Sequence, residues 1–314
     1  MASISPITKP KTSLKTSPNP LPHLRPEVTA RIRRLELVAR RVVEGFLAGM
    51  HRSPYFGQSI EFLQHRQYAP GDEIRHIDWK VFARQDRLHI KQYEEETNLR
   101  LNLLVDRSAS MAYGEGDTNK FDYSASIAAS LAYLALRQKD ACGLFTFDTR
   151  VTATVPARST GGQLQRLLEQ LDATGADGKT DMKRVAGEVA AGIPRRSVVA
   201  VISDLLGVDD LMEGLRLLAA RGHDIALFHV LHPDEIDFEF DGSTRFEGLE
   251  SDDFLNCNPR ALREGYIEAL NEFLRSTRES CGRLAIDYVG VRTDQPLDAV
   301  LAEFLTRRSG ANRR

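Results

Sequence analysis

Cysteine is scarce in this sequence. Cys142, Cys257 and Cys281 are the only three in 314 residues, far apart and odd in number. They argue against a disulfide framework or a cysteine zinc site and suit a reducing compartment, so a cytoplasmic location is expected. No apolar run approaches the ~18–20 residues that cross a bilayer, so no transmembrane segment is expected. The formal net charge is -2, which gives the chain no overall pull towards nucleic acid. The order Ser-His-Asp and the pattern H-E-x-x-H are both missing, which removes two common hydrolase templates. Acidic side chains are missing from residues 1–26, which are rich in proline and hydroxyls and carry Lys9, Lys11 and Lys15. Such a segment has nothing to bury and reads as a disordered tail. Its composition is also that of a transit peptide, whereas a secretory signal would need a 7–15-residue apolar block.

What remains is ordinary globular material, 42% hydrophobic and 27% charged, enough for one large α/β domain with accessory segments. In residues 27–50, Ile32, Leu35, Val38, Val42, Val43 and Phe46 fall near helical spacing with arginines between them. This helix either packs on the main domain or is offered to a partner or an acidic membrane surface. In residues 51–99, Pro70-Gly71 suggests a tight turn. Arg75, Asp78, Lys80, Arg84 and Asp86 then crowd around Trp79, the only tryptophan. Residues 88–96 could form a strand. The stretch is either a β-rich elaboration fixed by ion pairs or a docking surface with Arg75, Asp78, Trp79 and Arg84 as partner-binding candidates.

From residue 100 strands and helices alternate. Strands are expected at 100–106, 141–148, 150–155, 197–204, 224–231 and 284–289. Helices are expected at 121–138, 162–171, 182–191, 209–221, 260–280 and 297–307, and an irregular acidic excursion at 234–258. Short apolar strands between helices imply a mostly parallel sheet covered on both faces. The division is thus a tail (1–26), an accessory helix and β-rich segment (27–99) and a main α/β domain (100–310).

The chemistry gathers at strand ends. Leu103-Leu104-Val105 runs into Asp106, followed by Ser108 and Ser110, a D-x-S-x-S pattern. Alternate positions in a loop can aim three oxygens at one point, and a carboxylate with hydroxyls is the hard set preferred by Mg²⁺ or Mn²⁺. Thr180 stands in a glycine-bearing loop before a helix, and Asp204 ends the most apolar strand. Neighbouring strand ends in a parallel sheet lie side by side, so Asp106 and Asp204 can meet. Alone, D-x-S-x-S is also a common capping pattern. Asp181 reads as a helix cap, Asp148 as a turn residue, and His229 and His232 as structural histidines.

D-x-S-x-S with a later Thr and a later Asp resembles the metal-ion-dependent adhesion site of von Willebrand factor A domains, over roughly residues 100–310. Upstream, Arg66-Gln67-Tyr68-Ala69-Pro70-Gly71-Asp72, Arg75-His76-Ile77-Asp78-Trp79 and Ala83-Arg84 look like the signature of the bacterial domain-of-unknown-function 58 family. Ser53, Phe56-Gly57, Glu61-Phe62 and Pro233-Asp234-Glu235 fit the same pattern. The resemblance implies a von Willebrand factor A-like sheet and a Mg²⁺-like ion. Ser108, Ser110 and Thr180 would be direct ligands, with Asp106 and Asp204 acting through coordinated waters. One position would stay open for an acidic side chain of a partner. It also implies a MoxR-type AAA+ ATPase partner and a chaperone-like or complex-assembly role, without catalysis. Some relatives carry membrane helices ahead of this domain.

Three rivals deserve weighing. Residues 173–180 nearly match the phosphate loop G-x-x-x-x-G-K-T, but Ala173 replaces its first glycine and the preceding segment has helical period, where a strand is required. A Mg²⁺-dependent hydrolase or phosphotransferase could use Asp106 as nucleophile, but position 108 is serine and no general acid stands beside it. The third is a metal-free scaffold.

Overall fold

The computed structural model describes residues 26–50, 62–67, 79, 81–82, 88–93, 99–173, 181–206, 208–249 and 254–311. Residues 1–25 of the expected disordered tail lie outside these residues, as do Pro70-Gly71, Arg75, Asp78, Arg84 and Thr180, while Pro26 opens the first helix.

In chain order the elements are α1 (Pro26–Met50), β1 (Phe62–Gln67), β2 (His89–Tyr93), β3 (Arg100–Asp106), α2 (Lys120–Arg137), β4 (Ala141–Phe147), β5 (Val151–Arg158), α3 (Gln163–Asp172) and α4 (Met182–Gly192). There follow β6 (Val198–Ser203), α5 (Val208–Ala220), β7 (Asp224–Leu231), α6 (Pro233–Asp237), β8 (Thr244–Glu247), β9 (Phe254–Cys257), α7 (Pro259–Arg283), β10 (Asp287–Arg292) and α8 (Leu297–Ala311).

Six strands form one sheet in the order β10-β7-β6-β3-β4-β5, parallel except for β5 at one edge. β1 and β2 pair antiparallel in a separate two-stranded sheet. In the centre, β3 lies in parallel register between β4 and β6, with Leu103 opposite Leu144 on one side and Ala200 on the other. A strand buried on both faces needs apolar residues at consecutive positions, which Leu103, Leu104 and Val105 provide at 0% exposure. Burial of each such side chain stabilises the fold by about 2 kcal/mol.

Helices cover both faces. Leu101, Leu103 and Val105 pack in one cluster with Ile32, Ala39 and Val42 of α1, the alanines of α2, Leu167 and Leu168 of α3, and Phe304 of α8. Leu104 faces the opposite cluster, with Val185 and Val189 of α4, Leu215 and Leu218 of α5, and Cys281 of α7. Helix α1 therefore belongs to the main core, and Arg31 fixes it to α2 and α3 through Asp122 (3.1 Å) and Asp172 (3.0 Å). Among the described residues no helix is long and apolar enough to cross a membrane.

Two sequence expectations need correction. Residues 234–258, expected to be irregular, contain α6 and the antiparallel pair β8–β9, where Phe246 faces Leu255. The Phe238 ring stacks on Tyr266 at 4.2 Å between centroids, tying this excursion to α7. The last strand begins three residues later than expected. Leu284 caps α7, and Ala285 takes a left-handed conformation (φ 54°), so the chain is still turning there. Ile286 and Leu284 are apolar because they pack beneath the sheet.

Candidate functional site

The chain moves from β3 to β4 on one side and later returns to β6 on the other. The crevice outside the carboxyl end of β3 is therefore a topological switch point, where open α/β sheets place ligands. Asp106 is the last residue of β3, and Asp204 directly follows β6.

After Asp106 the chain tightens into a 3₁₀ turn over Ala109–Ala112, with Met111 N–H donating to Ser108 O at 3.1 Å. Asn119 then locks the loop. Its side-chain amide donates to Ala112 O (2.9 Å) and Gly114 O (3.1 Å), and its Oδ1 accepts from Asp122 N to cap α2. Gly114 has φ +94°, and a Cβ there would stand 2.8 Å from Thr118 O and 2.9 Å from the His232 ring, so only glycine fits.

Asp106 is wholly buried. One carboxylate oxygen accepts from Ser108 N (2.9 Å) and the other from Ser203 Oγ (2.6 Å), while Ser203 Oγ accepts from Leu205 N (3.1 Å). The hydroxyls of Ser108 and Ser110, both buried, are 3.0 Å apart. Leu205 is left-handed (φ 61°), a conformation that costs a leucine about 1–2 kcal/mol. That strained turn aims Asp204, whose Oδ1 accepts from Leu206 N at 3.3 Å. The Asp204 carbonyl can only accept, so His229 donates to it from Nε2 (3.1 Å) and accepts a hydrogen bond from the Tyr288 hydroxyl at Nδ1 (2.7 Å).

The remaining partner of Asp204 is Lys120, the first residue of α2. Its Nζ donates to Asp204 Oδ2 at 2.7 Å and to Glu235 Oε1 at 2.8 Å. Glu235 belongs to α6, where its other oxygen accepts from His232 N (2.6 Å) in a capping box. Tyr113 of the 3₁₀ loop donates to Asp234 at 2.9 Å, and Tyr266 donates to Glu235 O at 2.8 Å. The loop, α2, α6 and α7 thus close around one charged cluster.

Burial and repulsion from Asp204 push the Asp106 carboxyl up to about 7, although hydrogen bonds from Ser203 and Ser108 pull it back. Burial alone would lower the Lys120 ammonium, but Asp204 and Glu235 outweigh it and hold its pKa above the ordinary value. Among the described residues no three Asp, Glu, His or Cys side chains converge as a metal cage. Two of the four side chains gathered here, Ser108 and Ser110, offer hydroxyls instead.

Of the residues singled out from sequence, Asp106, Ser108, Ser110 and Asp204 come together, while Thr180 lies outside the described residues. Asp181 caps α4 by accepting from Arg184 N (3.0 Å), and its own N–H reaches Asp148 O (3.3 Å) at the end of β4. Asp148 accepts from Arg150 N in a turn. Helix α3 ends at Asp172, directly before residues 173–180, so the strand–loop–helix order of a phosphate loop is missing. Trp79 is exposed (59%), with its ring edge-on to Phe82 at 6.2 Å. Sequence reasoning passed over Lys120, Ser203 and the role of Glu235. A lysine in the first turn of a helix, against the macrodipole, was the available signal.

The model of the family described as protein of unknown function DUF58 matches residues 64–273. Uncharacterised proteins of Mycobacterium tuberculosis and Mycobacterium bovis are each 29% identical over 296 residues, covering 91% of this chain and 92% of theirs. Among solved structures, BatB from Bacteroides thetaiotaomicron, a conserved hypothetical protein, aligns with TM-score 0.46 and 12% identity over 68% of this chain and 99% of its own.

Proposed function

The chain belongs to the DUF58 family, and we propose that it is a non-enzymatic, divalent-cation-dependent protein–protein interaction module with a von Willebrand factor A-like domain. The observation that carries this reading is the gathering of Asp106, Ser108, Ser110 and Asp204 at the switch point of the sheet. Two neighbouring hydroxyls and two buried carboxylates fit a hard cation such as Mg²⁺ or Mn²⁺. Ser108 and Ser110 would hold the ion with Asp106 and Asp204 around it. The ion would supply positive charge for an Asp or Glu of the partner.

Asp106 makes a poor nucleophile for the hydrolase or phosphotransferase alternative. It is fully buried, and both its oxygens accept hydrogen bonds. A MoxR-type AAA+ ATPase, with complex assembly or chaperone-like maturation as the task, is the partner we propose from the sequence resemblance. The metal-free scaffold draws support from one observation, the Lys120 ammonium already paired with Asp204.

Calorimetric titration of Mg²⁺ and Mn²⁺ into wild type and the Ser108→Ala/Ser110→Ala variant tests the reading. Saturable binding that the variant loses while keeping its melting transition supports the ion site. A metal-dependent pull-down with a MoxR-type ATPase, abolished by chelator, would support the partner. Pull-down that chelator leaves intact, from a protein that binds no ion, favours the scaffold.

A further inference from the structure

We infer that Lys120 is a built-in counter-cation of the site, competing with the divalent ion for Asp204 and so setting the ion affinity. The inference rests on the ion-dependent reading above and deepens it.

The side chains of Lys120 and Asp204 are 0% and 1% exposed, so their attraction is little screened by water. A lysine in the first turn of α2 faces the positive end of the helix dipole, and only the two carboxylates make that position tolerable. Two carboxylates, Asp204 and Glu235, hold this one ammonium, and Asp106 stands close enough to Asp204 to repel it. The cluster therefore has room for more positive charge but already holds some. A divalent ion arriving beside Asp204 meets a like charge 2.7 Å from the carboxylate it needs.

Glu235 supplies the ammonium with a second seat. Its side chain is 27% exposed, and the capping box of α6 holds it in place independently of Asp204. Lys120 can lean on Glu235 as the ion takes Asp204. In this arrangement the resting site binds an ion weakly, and a carboxylate brought by a partner offsets the residual repulsion.

Mn²⁺ titration of wild type, Lys120→Met, Lys120→Arg and Glu235→Gln, each checked for cooperative melting, tests this. Lys120→Met is expected to tighten binding about tenfold or more. Lys120→Arg keeps the charge and is expected to stay near wild type. Glu235→Gln removes the second seat and is expected to weaken binding. Opposite shifts at two bonded residues are not what a merely structural role produces. If Lys120→Met fails to melt cooperatively, Glu235→Gln decides: weaker binding upholds the proposal and unchanged binding overturns it. Wild-type binding that Lys120→Met leaves equal or weaker removes the counter-cation role alone. Absence of binding in all four proteins removes the ion site and this inference together.

Discussion

Lys120 and Asp204 meet at 2.7 Å with neither side chain exposed, across 84 positions of sequence. The pair joins the first turn of α2 to the end of β6. It therefore ties the D-x-S-x-S loop, which leads into α2, to the neighbouring strand. Breaking a buried pair from one side strands the other charge, a loss of about 3–5 kcal/mol.

A double-mutant cycle on stability follows. Lys120→Met and Asp204→Asn are each expected to destabilise the metal-free protein. The double variant should lose roughly 1–3 kcal/mol less than the two losses added together, because the second substitution no longer strands a charge. Urea denaturation in chelator measures all four proteins. Simple additivity would mean that the pair does not act as a unit.

The pH dependence has two opposing sources. Burial, chiefly, lowers His229 from 6.5 to about 4, with Asp204 pulling the other way. The unfolded chain therefore takes up that proton first. The histidine's contribution is complete above about 6.5 and is lost as pH falls towards 4, up to roughly 3 kcal/mol. Asp106 is raised from 3.8 to about 7, so the folded chain binds its proton more tightly. Its contribution is complete below 3.8 and is lost as pH rises to about 7. The two slopes offset each other in wild type. In chelator, His229→Gln should lose stability as pH rises from 4 to 7, and Asp106→Asn should gain it. Parallel curves for both variants would sink the assignment.

Ser203 is expected to matter more than an ordinary strand-end serine. Its hydroxyl donates to Asp106 and accepts from Leu205 N, beside a residue held at φ 61°. Ser203→Ala leaves a buried carboxylate oxygen and a buried N–H each short of this partner, at a cost of about 1–3 kcal/mol. The midpoint of urea denaturation should fall accordingly. A change within error would show that the strained turn stands without this bridge.

The scaffold of the site was legible because its signals are local. β3 and β7 run over the same residues as expected, Arg100–Asp106 and Asp224–Leu231, since continuous apolar runs bounded by polar residues leave little choice. Asp106 and Asp204 were legible as strand-end carboxylates, and a parallel sheet brings such ends together. Lys120 was not. A lysine ahead of an amphipathic helix looks solvated, and its partners stand 84 and 115 positions away, so its burial is a tertiary fact. The pair β8–β9 escaped notice for a different reason. Its strands have four residues each, alternate between half-buried and exposed or stay largely exposed, and sit among acids that read as loop.

Trp79 separates structure from recognition in the accessory segment. It is the chain's one tryptophan and is 59% exposed, with a ring contact to Phe82. An exposed side chain adds little to stability, so Trp79→Ala is expected to shift it by no more than about 0.5 kcal/mol. A tryptophan that anchors an interface loses about 2 kcal/mol or more of binding when truncated, which is roughly thirtyfold in affinity. The measurement pairs a melting curve with capture of a MoxR-type ATPase. Unchanged melting with lost capture makes the exposed ring a recognition element. A lost thermal transition would instead make Trp79 a structural anchor of the segment, its exposure notwithstanding.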